Sequence, residues 1–184
     1  MTNLNMESKH KLLLKASFAG TFAETMLLPM WAILTHKVGG DLMDAGIGYG
    51  IFSIVTGIIV MTVGSTDWFN NNVKYMVFWG FTIAGCADLL YILVSTKYEL
   101  FAVQCLCGVA VGFLNPAWDV MFTDTEEEND GAKWSFWNGG ISFVTGVAAL
   151  VGAGIVSLFG FSWLFVGMAT FDLLAIYFAY KVMK

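Results

Sequence analysis

Residues 112–134 read GFLNPAWDVMFTDTEEENDGAKW. An apolar helix enters this stretch, is interrupted by Asn115, Pro116 and Asp119, and dissolves into a burst of acids. It resumes as an aromatic, apolar run at Trp134. Two long apolar blocks joined by a short acidic link are the pattern of consecutive membrane spans, and the rest of the chain repeats it. Of 184 residues, 58% are hydrophobic and 12% charged, with mean hydropathy +0.71. Soluble domains hold roughly 45–50% apolar and about 25% charged residues. Six blocks reach the roughly 20 residues a helix needs to cross a hydrocarbon core. They lie near 12–35, 44–64, 74–95, 99–122, 134–159 and 162–180 and are numbered here as spans 1 to 6 of a single transmembrane domain. The links KVGGD, STDWFNNN, TK, TDTEEENDGAK and GFS are short and polar. The alternating ten-residue segments of a β-barrel are missing. The expected fold class is an all-α membrane protein with six transmembrane helices.

The start, MTNLNMESKHKLLLK, is polar for ten residues and leads into a full-length span with no small-residue cleavage site, so the first helix is expected to stay. The basic residues are nine lysines and no arginine. Six spans put both termini on one side, together with Lys9, Lys11, Lys15, Lys74, Lys133, Lys181 and Lys184; the other side has Lys37 and Lys97. The excess of lysine points to cytoplasmic termini in a multi-pass protein of the cytoplasmic (inner) membrane. Cys86, Cys105 and Cys107 fall inside spans without metal-ligand spacing and read as small buried hydrophobes, so neither metal nor cofactor is expected. The histidines, His10 and His36, sit at the ends of the first span, and no HExxH, GxSxG or phosphate-cradling loop is present. Enzymatic chemistry and nucleic-acid binding are not expected.

Small and polar residues fall into stripes at helical spacing. Gly46, Gly50, Ser53 and Gly57 share a face of span 2, and Ser135, Gly139, Ser142, Gly146, Ala149 and Ala153 share one of span 5. Such faces let membrane helices meet backbone to backbone, inside one bundle or between subunits. Gln104, Gly108, Val111, Asn115 and Asp119 line up on span 4; Thr21, Glu24, Thr25 and Leu28 line up on span 1. Trp137, Asn138 and Thr145 add polar and aromatic groups to span 5. The acids Glu24, Asp88, Asp119 and Asp172 have no basic partner within the spans. A charged acid in mid-span costs roughly 2.5–3.5 kcal/mol on insertion scales, so desolvation favours the neutral carboxyl. For Asp88 and Asp172 the expected role is a neutral carboxyl bonded to a neighbouring helix. Glu24 reads more readily as functional. Asp119, a turn from the end of its span, is balanced between function and snorkelling.

GVAVGFLNPAWDVMFTDTEEENDGAKWSFWNGG resembles the helix 4–loop–helix 5 region of the major facilitator superfamily, in which a glycine- and proline-bearing helix ends in an aspartate before an acidic loop and a Gly-rich fifth helix. Gly108, Gly112, Pro116, Asp124, Glu126–Glu128, Gly131, Gly146 and Gly152 match that layout. FAGTFAETMLLPMWAILTHKVGGDLMDAGIGYGIFSI is similar to the family's opening helices. The likeness covers nearly the whole chain but one six-helix half of the family fold. The family's GxxxDRxGRK-like loop has become GSTDWFNNNVK, which lacks its central glycine and its arginines. Gly64, Asp67 and Lys74 stand at its glycine, acid and base, and the resemblance implies a gate charge cluster of Asp67, Lys74 and Asp124. It further implies that spans 1 and 4 line a cavity, spans 2 and 5 face the other half, and spans 3 and 6 lie outside.

The expectation is a half-size transporter that pairs two parallel copies through spans 2 and 5. Around the resulting cavity stand Glu24, Gln104, Asn115, Trp118 and Asp119, with Trp31, Trp137 and Asn138 as walls. Glu24 and Asp119 are the candidates for proton coupling, and a proton symporter is one form this takes. Amides beside tryptophans favour a sugar- or polyol-like solute; acids beside aromatics suit an organic cation or drug. A non-transporting subunit that pairs with another half-transporter is the remaining alternative.

Overall fold

Long apolar blocks cross lipid as helices because hydrocarbon offers no partner to backbone N–H and C=O groups. The structure, a computed structural model, describes residues 2–64, 66–123 and 131–183, and among these every regular element is helical. Asp124 and Glu126–Glu128 lie outside the described residues. Span 1 comprises α1 (Thr2–Leu27), a 3-10 turn (Leu28–Met30) and α2 (Trp31–Lys37). Span 2 is α3 (Leu42–Val63), and span 3 is α4 (Asp67–Leu90) with a 3-10 turn at Tyr91–Leu93. Spans 4, 5 and 6 are α5 (Lys97–Thr123), α6 (Gly131–Phe159) and α7 (Phe161–Met183). The stretches long and apolar enough to cross a membrane are Lys9–Lys37, Leu42–Val63, Asn71–Leu93, Lys97–Thr123, Trp134–Phe159 and Phe161–Met183.

The two prolines act differently. Pro29 lacks the N–H that an α-helix needs, and span 1 tightens there into the 3-10 turn. Pro116 is carried inside α5, which continues to Thr123. At the end of the bundle opposite the termini, Asp41 and Asp44 form a capping box at the start of α3. The Asp44 N–H donates to Asp41 Oδ1 at 2.9 Å, and the Asp41 N–H donates to Asp44 Oδ2 at 3.0 Å. Lys97 Nζ pairs with the same Asp44 carboxylate at 3.0 Å, tying α5 to α3. Trp31 Nε1 donates to the Ala45 carbonyl at 2.9 Å and fastens α2 alongside.

The helices pack in the order α6, α1, α7, α4, α5, α3. Exchanging span 1 with 4, 2 with 5 and 3 with 6 leaves that order of neighbours unchanged. Since consecutive spans are antiparallel, the bundle is two three-helix units of inverted topology. Two apolar clusters fill it, one around Leu13, Val77 and Phe122 toward the termini, the other around Met26, Leu100 and Leu164 toward the far end. Gly108 and Gly152 permit the closest helix approaches. A Cβ on Gly108 would stand 2.7 Å from the Phe52 carbonyl oxygen, and one on Gly152 would collide with that of Met26. Gly160, at φ +88°, turns α6 into α7.

The small-residue stripes point away from the bundle. A Cβ on Gly46, Gly50, Gly57, Gly139 or Gly146 would meet nothing within 4 Å, and Ser53, Ser135, Ser142 and Ala153 are exposed too. Their helices, α3 and α6, are the two ends of the packing order and the least buried of the six spans. The cysteine reading needs correction: Cys86 and Cys105 are exposed on the bundle and Cys107 is half-buried. In a membrane the outer surface is itself apolar, so a small hydrophobe gains no preference for the interior.

Candidate functional site

The polar stripes of α1 and α5 converge on a cavity of about 490 Å³. Helical spacing brings Thr21, Glu24 and Leu28 to it from span 1, with Trp31 beyond the Pro29 break; α5 supplies Gln104, Val111, Asn115, Trp118 and Asp119. Tyr49 and Phe52 enter from α3, Trp137 from α6, Asp88 from α4 and Asp172 from α7. Glu24, Asn115 and Asp119 remain exposed in the single bundle, so the cavity opens on the side that carries them. Of the eight residues that sequence reading set around the cavity, Asn138 is the one that does not line it. It follows Trp137 on α6, and adjacent helix residues do not share a face. Gly108 also leaves the polar stripe and packs on α3, while Thr25 spends its hydroxyl on the Thr21 carbonyl at 2.7 Å.

The three cavity tryptophans differ in what their N–H groups do. Trp31 donates to Ala45 O, and Trp137 Nε1 donates to Ser17 Oγ at 3.1 Å, holding α6 to α1. Trp118 Nε1 is buried with no hydrogen-bond partner. Its ring stacks between Trp137, with centroids 6.0 Å apart, and Phe122, at 5.7 Å. Phe122 and Trp134 extend this aromatic layer toward the termini, with ring centroids 4.8 Å apart. Trp118 is thus held rigidly, with one donor unspent.

Sequence reasoning missed the other polar group of the cavity. Tyr91 lies just past the end of α4, where its hydroxyl accepts from Gln104 Nε2 at 3.0 Å and lies 3.6 Å from Cys107 Sγ. Its ring stacks on Phe165 of α7 at 5.2 Å. Asp172 of α7 packs against Gly85, one turn from Asp88 on α4, so the two acids stand side by side, and both line the cavity with Glu24. Both are buried. The sequence leads one to expect each of them against a neighbouring helix; the structure adds that they are neighbours of one another across the contact of α4 with α7. Neither helical periodicity nor motif signals that pairing. Among the described residues no lysine, arginine or histidine lines the cavity. Among the described residues no group of three or more His, Cys, Asp or Glu is arranged to hold a metal ion.

A six-helix bundle with a cavity between its first and fourth spans agrees with the sequence profile of the Major Facilitator Superfamily, which matches residues 13–183. The chain belongs to the major facilitator superfamily. No curated protein matches the chain. Members of this superfamily are membrane transporters rather than enzymes, and the chain is accordingly a multi-pass membrane protein. Of the residues that the resemblance implied as gate charges, Asp67 lies in the first turn of α4 and Lys74 two turns on, both exposed; Asp124 falls outside the described residues. The ion pair that sequence reading did not single out, Lys97–Asp44, stands at the opposite end of the bundle.

Proposed function

We propose that this superfamily bundle works as one half of a two-bundle transporter, completed by a second, parallel copy of the chain. It moves a small, hydroxyl-rich polar solute together with protons by alternating access. The single observation that carries this reading is the open cavity. Glu24, Asn115 and Asp119 are presented to a face that one bundle leaves uncovered, and charged or amide groups facing lipid would be costly. The outward glycines of α3 and α6, which flank the packing order at both ends, support a close contact with another bundle. The carboxyls, amides and tyrosine hydroxyl offer hydrogen bonds, and the tryptophans offer flat apolar walls. A cavity without a base disfavours an anion. A second reading, an organic cation, is favoured by the same lack of bases combined with four acids beside aromatic rings.

The purified chain in lipid vesicles under an imposed pH gradient tests this. Labelled polyols should accumulate inside. Accumulation of tetraphenylphosphonium instead moves the assignment to organic cations, and transport of neither removes the autonomous transporter and leaves a subunit that needs another partner. Substituting Gly50 or Gly146 with Leu should weaken dimerisation by roughly five- to 150-fold, since overpacking a close contact costs about 1–3 kcal/mol. Analytical ultracentrifugation in detergent reads this directly; unchanged association, or an interface mapped by cross-linking to α4 and α7, sinks the assignment. For orientation, the lysines cluster toward the termini, which supports cytoplasmic ends. Protease-accessible tags at either terminus of the protein in intact cells would contradict that.

A further inference from the structure

Asp88 and Asp172 are acids on helices that the family arrangement places outside the substrate path, yet both line the cavity and stand side by side where α4 packs on α7. The contact depends on Gly85 of α4. A Cβ there would stand 3.2 Å from Asp172 Cβ, tighter than ordinary packing, so the absence of a side chain lets α7 bring its carboxyl beside Asp88. We propose that Asp88 and Asp172 form one proton-binding site, two carboxyl groups that share a proton across the junction of α4 and α7.

The chemistry follows from the contact. A hydrogen bond between two carboxyl groups requires at least one proton, which one oxygen donates and the other accepts. With that proton gone, two carboxylates would stand side by side, and such pairs do not both ionise without compensation. No compensation is on hand. The groups facing the pair are Glu24 from α1, Tyr91 from the turn after α4, and Gln104 and Cys107 from α5, none of them a base. The described part of α6 brings no titratable side chain to the cavity, and the cavity residues of α3 are Tyr49 and Phe52. The proton is therefore also a structural tie. α4 belongs to the first inverted three-helix unit and α7 to the second, so proton occupancy and the packing between the two units are coupled. Release of the proton to water in the cavity replaces an attraction at this junction by a repulsion, and uptake restores it. This deepens the proton coupling proposed above, but detecting the site does not require transport.

Dicyclohexylcarbodiimide adds to protonated carboxyl groups in apolar surroundings. The full chain in lipid vesicles, treated with it over a range of pH and analysed by peptide mass spectrometry, should carry an adduct on Asp88 or Asp172. Labelling should be lost as the pH rises. In Asp172→Asn the pH profile of labelling at Asp88 should shift, and in Asp88→Asn that at Asp172 should shift, because each acid loses the partner with which it shares the proton. Wild-type chain with no adduct on either residue overturns the site without any variant. Profiles that stay unchanged in the Asn variants mean two independent acids and overturn the sharing. Labelling that behaves as expected in vesicles that accumulate no solute upholds the pair and removes the transport reading instead.

Discussion

Replacing Glu24 by Gln is expected to abolish proton-driven accumulation while leaving dimerisation and solute exchange in place. Glu24 lies 13 residues before Lys37, the nearer end of its span, roughly 20 Å of helix rise. That depth is too great for a glutamate to reach the membrane surface. It faces the open cavity and is exposed in the single bundle, unlike Asp88 and Asp172 behind it. In the proposed two-bundle transporter an acid there meets water in the cavity and trades a proton with it, while lipid and the facing bundle keep it from bulk solvent. Gln preserves shape and hydrogen bonding but does not titrate. With one proton carried per solute, a gradient of one pH unit supports about tenfold accumulation, since a unit is worth about 1.4 kcal/mol. The variant should bring that ratio to about one in vesicle uptake assays, with counterflow retained. Wild-type accumulation with unchanged pH dependence would make Glu24 a structural carboxyl and leave Asp88 and Asp172 to carry the proton.

Much of this was legible in the chain because lipid imposes a simple rule. Each crossing must be an apolar stretch of about 20 residues that satisfies its own backbone as helix, short 3-10 turns included, and the blocks read from hydropathy lie close to the crossing stretches of the structure. Helical periodicity put Gln104, Asn115 and Asp119 on one face of span 4 and Glu24 on a polar face of span 1, because each stripe is a property of one helix; that the two faces share a cavity is what the family resemblance implied. What the sequence hid are relations between helices. Asp88 and Asp172 meet through the packing of α4 on α7 at Gly85, and nothing local to either residue announces the other. Tyr91 joins the site from a turn beyond its helix, where periodicity ends. Asn138 was misplaced for the converse reason: it neighbours Trp137 in sequence, and a rotation of one residue carries it off the face. The outward direction of the α3 and α6 glycines was equally open, since a small-residue stripe has the same spacing whether it faces its own bundle or another.

The hydrogen-bond partners of the tryptophans belong to the same class of hidden facts, and they lead to a test with opposite signs for fold and function. Trp118→Phe removes an indole N–H that is buried without a partner and keeps an aromatic ring against Trp137 and Phe122. An unsatisfied buried donor costs about 1–3 kcal/mol, so the variant should match or exceed the wild type in thermal stability in detergent. Trp137→Phe should be less stable, because it breaks the bond to Ser17 that joins α6 to α1; Trp31→Phe should be less stable through loss of the bond to Ala45. Binding should rank differently. Trp118 lines the cavity while its N–H is buried unspent; in the proposed transporter a solute acceptor takes that donor when the wall opens to it, and one neutral hydrogen bond is worth about 0.5–1.5 kcal/mol net. Trp118→Phe should therefore weaken solute binding by roughly three- to tenfold, read by equilibrium dialysis of the labelled solute against the purified protein. Stability that falls while affinity stays unchanged would assign the Trp118 N–H to the fold and remove it from the solute site.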